Sequence, residues 1–311
     1  MYIIISPSKT QDFNRNIILP KEVGRLSKVP EWNMQTAQLA KVMQGYSAEE
    51  LSKMMKVSPK LGALTYSRFQ EWDEAYGKND TLGEGEETQI APAIVAFLGD
   101  VYKGFKLESW TAKEYQYAHE HLGIASGFYG LISALDYIQP YRLEMGTRVQ
   151  FTLPKNTTTK KNPELYSGQS TYKNLYAFWS EVLTEKMFQI VKKEKVLINL
   201  ASVEYSKVID RKLLKQKCID NWRGGDERVE MQIIDIDFKI RKQDKKTEEV
   251  AEKVIGIYAK RARGLMANWI IENKIEKPRD LQNFSIDGWR FKSESAKDTL
   301  GNSSMLFIKT L

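Results

Sequence analysis

The sequence predicts a mixed α/β (α+β) fold: one compact domain over residues 1–311, with a mixed sheet flanked by helices. Three observations predict it. Short apolar runs such as Tyr2–Ile5 and Val196–Leu200 read as strands buried on both faces. Amphipathic helical stretches separate them, as crossovers between parallel strands require. The chain then closes on Trp289–Phe291 and Met305–Ile308, two short runs that form a hairpin and place antiparallel strands at an edge.

Tyr2–Ile5 is the first strand, stopped by Pro7 in Ser6-Pro-Ser-Lys-Thr10. Residues 31–56 are helical, with apolar positions at Leu39, Val42, Met43, Leu51 and Met54 and a break at Gly45-Tyr46-Ser47. Ser47-Ala-Glu-Glu50 is a capping box that restarts the helix. Ser58–Trp72 is a further helix, and the acidic stretch 77–88 is a mobile loop. Ala93–Phe97 reads as a second buried strand leading into Leu98-Gly-Asp-Val-Tyr-Lys-Gly104. Thr111–His121 is a helix whose Glu114 completes a capping box. A glycine-punctuated turn at Leu122–Gly127 and a short helix to Leu135 follow, giving a helix-hairpin-helix-like element. The polar stretch 154–170 is a second mobile loop, and Asn174–Val191 an amphipathic helix. Val196–Leu200 is the third buried strand, ending at Ala201-Ser-Val-Glu-Tyr205. Val229–Phe238 and Val254–Tyr258 are two more strands, joined by a charged mobile connection near 239–250, and Pro278–Phe284 is a short helix.

Composition narrows the class of protein. A chain of 311 residues, 42% hydrophobic and 28% charged, is ordinary for a globular protein and buries a large core. The formal charge of +7 suits a polyanionic partner such as nucleic acid. A single cysteine, Cys218, excludes an intramolecular disulfide and fits a reducing, cytoplasmic setting; it reads as an inert thiol. His119 and His121 lie two apart, cannot share a helix face, and read as surface residues, so no metal site is expected. No cofactor motif is present, Ser6-Pro-Ser-Lys-Thr10 lacking the glycines of a P-loop. No apolar run approaches the roughly 20 residues of a membrane helix, so no membrane partner is expected.

Candidate chemistry gathers at strand ends. In Tyr258-Ala-Lys-Arg-Ala-Arg-Gly-Leu-Met-Ala-Asn-Trp-Ile-Ile271, a helical face begins at Ala262 and continues through Leu265, Met266, Trp269 and Ile270. Lys260, Arg261 and Arg263 then sit at or just before the first turn, where they oppose the helix dipole unless an anion joins them. Three strands end in the polar clusters Ser6/Ser8/Lys9/Thr10, Asp100/Tyr102/Lys103 and Ser202/Glu204/Tyr205. Ligands of open α/β sheets bind beyond the carboxyl ends of strands. If these strands are parallel neighbours, Lys9, Asp100, Glu204, Lys260 and Arg263 share one cleft. Arg142 and Glu144, two apart in Gln139-Pro-Tyr-Arg-Leu-Glu-Met-Gly146, face one side of an extended segment and hold each other or a ligand. Gly123, Gly127 and Gly130 either offer backbone amides to a DNA phosphate or permit close packing. Trp179, Trp222, Trp269, Tyr129 and Tyr141 are stacking surfaces for bases or simply core.

Six motifs occur in order: Ile4-Ile-Ser-Pro-Ser-Lys-Thr10, Phe97-Leu-Gly-Asp-Val-Tyr102, Ser126-Gly-Phe-Tyr-Gly130, Gln139–Gly146, Asn199-Leu-Ala-Ser202 and Tyr258-Ala-Lys-Arg-Ala-Arg-Gly264. With them the chain closely resembles the YaaA peroxide-stress protein family over nearly its whole length. The resemblance implies a cytoplasmic protein of the oxidative-stress response that protects DNA, binding duplex or branched DNA through a positively charged cleft and a helix-hairpin-helix element. Leu98, Ser133-Ala134 and Val203 stand where that family usually has lysine, Arg-Pro and Asn or Asp.

Two functions follow as expectations. The first is sequence-nonspecific DNA binding, with Ser6, Lys9, Gly123, Gly127, Gly130, Tyr141, Arg142, Lys260, Arg261 and Arg263 on phosphates. The second is an enzyme on a small phosphorylated or nucleotide-like ligand, using Lys9, Asp100, Arg142, Glu144 and Glu204. An open basic groove favours the first; a pocket holding carboxylates favours the second.

Overall fold

Tyr2–Ile5, buried at every residue, form strand β1, and a computed structural model places that strand inside a mixed sheet. The structure describes residues 1–76, 89–154, 169–223, 229–243 and 250–311. After β1 come β2 (Thr10–Gln11), α1 (Lys21–Gly24), α2 (Asn33–Gln44), α3 (Ala48–Met55) and α4 (Pro59–Gln70). Next are β3 (Ala91–Pro92), α5 (Ala93–Ala96), β4 (Phe97–Leu98), α6 (Ala112–His121), β5 (Leu122–Ser126), β6 (Gly130–Ser133) and β7 (Tyr137–Ile138). β8 (Phe151–Pro154), β9 (Gln169–Tyr172), α7 (Leu175–Glu194), β10 (Val196–Asn199), α8 (Val203–Ser206) and α9 (Arg211–Arg223) follow. The chain ends with β11 (Gln232–Gln243), β12 (Val250–Lys253), α10 (Gly256–Asn273), β13 (Arg290–Glu294) and β14 (Ser303–Thr310).

The main sheet has the order β13-β14-β11-β10-β1-β5-β6, with β12 attached to β11. β14, β11, β10, β1 and β5 run parallel, while β13, β12 and β6 are antiparallel additions at its margins. The parallel strands are apolar on both faces because helices cover the sheet: α7 packs on β1, β6 and β10, and α10 on β11. From β1 the chain crosses to β5 on one side and later returns to β10 on the other. The β1/β10 boundary is therefore the place where strand order reverses, the standard location of a ligand crevice in open α/β sheets.

Local signals hold where they are self-contained. α3 and α6 carry complete capping boxes, Ser47 with Glu50 and Thr111 with Glu114. The final hairpin is β13 against β14. Other expectations are corrected. Ala93–Ala96 is a turn of helix rather than a strand, extended only at Phe97–Leu98; a short apolar run buried on every side has no period to distinguish the two. Residues 122–133 form the β5/β6 hairpin, with no helix after the turn, so no helix-hairpin-helix exists there. The glycines act by packing: a Cβ on Gly123 would strike Tyr2 and Leu131, and Gly130, at φ +74°, lies against Trp179. Val254–Tyr258 is not a strand: β12 stops at Lys253 and α10 begins at Gly256. Val254, Ile255 and Ile257 are β-branched, as strand residues tend to be, but here they are exposed rather than packed in a sheet. Lastly, 239–243 belongs to β11 rather than to a loop. The loop expectations at 77–88, most of 154–170, and 244–249 lie outside the described residues.

His119 and His121 are half-buried rather than on the surface; burial holds His119 below the usual histidine value, and His121 Nδ1 lies 3.5 Å from Glu194. Cys218 is buried and its thiol is pushed up by that burial. Among the described residues, no helix is long and apolar enough to cross a membrane.

Candidate functional site

At the carboxyl ends of β1 and β10 lies a cleft of about 330 Å³. Its lining includes Ser6–Thr10 after β1, Gly99–Tyr102, Ser202, Glu204 and Tyr205 after β10, and Lys260 and Arg263 from α10. The parallel neighbouring of β1 and β10 brings the first and third groups together. Ser202 N–H donates to Ser6 Oγ at 2.9 Å, fastening the two strand ends to each other. Asn199 shapes the second end: its Oδ1 accepts from Ala201 N–H at 3.0 Å, and its amide donates to Asp235, which Arg211 grips through two nitrogens at 2.7 and 2.8 Å.

The 99–104 segment is fastened from two directions. Tyr102 OH donates to the Ser6 carbonyl at 3.0 Å, and Ser8 Oγ donates to the Leu98 carbonyl. On the other side α10 crosses it at backbone contact. A Cβ on Gly264 would collide with the Val101 carbonyl, and one on Gly104 with the Gly264 backbone. That approach fixes Lys260 and Arg263, on the preceding turn of α10, against the cleft.

Lys260, Arg261 and Arg263 lie in the second and third turns of a helix that starts at Gly256, so the expected anion site at free helix-start amides is corrected: those amides belong to residues several positions earlier. What remains is side-chain charge. Lys260 and Arg261 are exposed. Arg263 is half-buried; its Nε is fully buried and has no hydrogen-bond partner, and among the described residues it makes no ion pair. Burial pulls Arg263 below the usual arginine value, and only Asp237 opposes this.

A further wall is the segment after Tyr141. Glu144 receives Lys9 Nζ at 2.6 Å and Arg142 at 3.3 Å, so Arg142 and Glu144 do hold each other. Glu204 Oε1 accepts from Gly146 N–H at 2.9 Å, tying this wall to α8. Arg142 does not line the cleft; its side chain is 13% exposed and its Nε has no partner. Arg68 of α4 is drawn below the usual arginine value by burial and then by Arg142, which sets a second cation beside it. No sequence signal marks Arg68, since its neighbour arrives from a distant segment.

The cleft thus gathers Lys9, Asp100, Glu204, Lys260 and Arg263, three cations and two carboxylates, and is mixed in charge rather than uniformly positive. Asp100 sits 3.5 Å from Lys103. Gly123, Gly127, Gly130 and Tyr141 are buried and do not line it. Tyr141 stacks on Phe128 at 5.3 Å, and Tyr129 and Trp179 are core residues as well; Trp269 is half-buried, and only Trp222 of the five aromatics is largely exposed. A larger cavity of about 550 Å³ near Cys218 collects none of these residues.

Fold and cleft together define an α/β protein with a compact polar cleft at the switch point of a mostly parallel sheet. The chain belongs to the family described as peroxide stress protein YaaA, whose profile matches residues 1–295. It is 36% identical over 299 residues to a UPF0246 protein of Acaryochloris marina, covering 96% of this chain and 97% of that one. A UPF0246 protein of Legionella pneumophila (strain Lens) is 36% identical over 296 residues, with 94% and 95% covered. One from Paraburkholderia phytofirmans is 32% identical over 307 residues, with 96% of each covered.

Proposed function

We propose that this peroxide-stress family member acts in the cytoplasm by binding a small phosphorylated or nucleotide-like ligand in the β1/β10 cleft, with Arg263 and Lys260 on the phosphoryl group. The observation that carries this is Arg263. Its Nε is buried without a hydrogen-bond partner and only the charge of Asp237 offsets that burial, and a ligand oxyanion is a partner its fork geometry fits. The cleft's 330 Å³ matches a small molecule and lies at the low end of ligand-pocket sizes. Titration calorimetry with inorganic phosphate and simple phosphate monoesters tests the reading. Saturable binding that Arg263→Met abolishes is expected; no heat up to millimolar phosphate overturns it.

Sequence-nonspecific DNA binding is the second reading, and a different element favours it. α3 and α4 form a helical hairpin drawn together where Gly62 meets Ser52. Exposed Lys56, in the left-handed conformation at the turn, and exposed Lys60 flank the start of α4, whose Leu61 amide is capped by Ser58. Together with the +7 charge, this surface suits phosphate backbones. Duplex affinity should then fall with salt at a log–log slope near −0.9 per phosphate contacted. Unchanged affinity in Lys56→Ala/Lys60→Ala removes this reading.

A further inference from the structure

The cleft's carboxylates are misplaced for a site that takes phosphate alone. Like charges repel, and a phosphate-only site gains nothing from Asp100 and Glu204 in its lining. Their local bonds do not account for them either. Glu204 uses Oε1 for the Gly146 amide, but its Oε2 has no partner among the described residues. Among the described residues Asp100 meets only the exposed Lys103, at the long distance of 3.5 Å through Oδ1, and its Oδ2 has no partner there. The cations divide in the same manner. Lys9 is matched by Glu144, whereas Lys260 and Arg263 have no ion pair among the described residues. After internal pairing, the cleft therefore offers two cations on α10 and unspent carboxylate acceptors on α8 and the 99–104 segment. Serine hydroxyls at Ser6, Ser8 and Ser202 add to the polar lining.

We infer that the ligand is a phosphate monoester of a polyhydroxylated compound, such as a sugar phosphate or ribonucleotide, whose hydroxyl groups donate to Glu204 and Asp100 while its phosphate meets Arg263 and Lys260. This rests on the phosphoryl-ligand reading of the cleft and narrows it. An ionised carboxylate is acceptor-only, so it selects for donors, and hydrogen bonds to charged groups discriminate more strongly than neutral ones.

The test compares ribose 5-phosphate with ethyl phosphate, which carries the same anion without hydroxyls, by titration calorimetry on the full chain. The wild type is expected to prefer ribose 5-phosphate by about tenfold or more, the scale of one charge-assisted hydrogen bond. Glu204→Gln and Asp100→Asn should each weaken ribose 5-phosphate and tighten ethyl phosphate, collapsing the preference to about threefold or less. Melting curves on both variants establish folding, and since Gln retains an acceptor for Gly146, neither substitution empties a buried contact. Equal affinity for the two esters in the wild type overturns this inference and leaves the phosphoryl site standing. A preference that survives both substitutions overturns the assignment to these carboxylates. Failure to bind either ester overturns the phosphoryl reading itself.

Discussion

Gly264 of α10 lies against the Val101 carbonyl so closely that any side chain at this position would overlap it. The contact sets where α10 crosses the sheet end, and with it the height of Arg263 above the cleft. Gly264→Ala must push the helix away from a segment already held by Tyr102 to the Ser6 carbonyl at the end of β1. Overpacking against backbone costs roughly 1–3 kcal/mol or more. A loss of that size in denaturant unfolding, with at least a tenfold loss of phosphate affinity, is expected; an unchanged affinity would show that Arg263 is placed by something else.

Arg263 itself should trade stability for binding. Replacing it by Met removes a desolvated charge and keeps most of the apolar stem packed. The expected result is a gain on the order of 1–2 kcal/mol without ligand, together with lost phosphate binding. Denaturant midpoints of the two proteins in phosphate-free buffer decide it, and a clear destabilisation contradicts the view that Arg263 lacks an internal partner.

Asp136 provides a pH-dependent case. Its carboxyl is buried and pushed up to about 7 by that burial, although the Ser133 amide and Lys28 and Lys186 favour ionisation; Glu31 works against it, and Tyr2 is also close. The native state thus holds this proton more tightly than the unfolded chain. Its contribution is fully present below the unfolded value near 3.8 and is lost as pH rises through about 7. Asp136→Asn retains an acceptor for Ser133 and cannot ionise. It should match the wild type near pH 3, where the carboxyl is protonated in both states, and exceed it increasingly towards pH 8, by on the order of 2–4 kcal/mol. Parallel unfolding curves at the two values would contradict this.

Asp235 runs the other way. Burial opposes its charge, yet bonds from Arg211 and Asn199 hold it below the usual carboxylate range. The stability it adds is present above the unfolded value and disappears as pH falls through the lower folded value. Asp235→Ala should cost about 1–3 kcal/mol at pH 7 and progressively less below about pH 4. A cost independent of pH would assign the loss to packing rather than to the ion pair.

Local information was enough wherever a few adjacent residues settle the matter. The capping boxes of α3 and α6, the apolar runs of β1 and β10, and the final hairpin are of this kind. The failures share a cause. Ala93–Ala96, Leu122–Ser133 and Val254–Tyr258 have side chains whose conformation is chosen by partners far along the chain: Ile94 N–H bonds to Ala134, Gly123 faces Tyr2, and β12 pairs with β11. In the cleft, the polar strand ends were visible one by one, but the pairing of Lys9 with Glu144 and the approach of Arg68 to Arg142 were not.

The sequence by itself determined the mixed α/β class, the family, and which residues carry charge at the ends of the central strands. Only the tertiary structure decided that β1 and β10 are parallel neighbours at the switch point, that Lys260 and Arg263 project from within α10 rather than from its first turn, and which charges are already spent on each other. Strand order and helix position arise from non-local packing, here β-sheet pairing and the glycine contact between α10 and Val101, and no short window of residues encodes them.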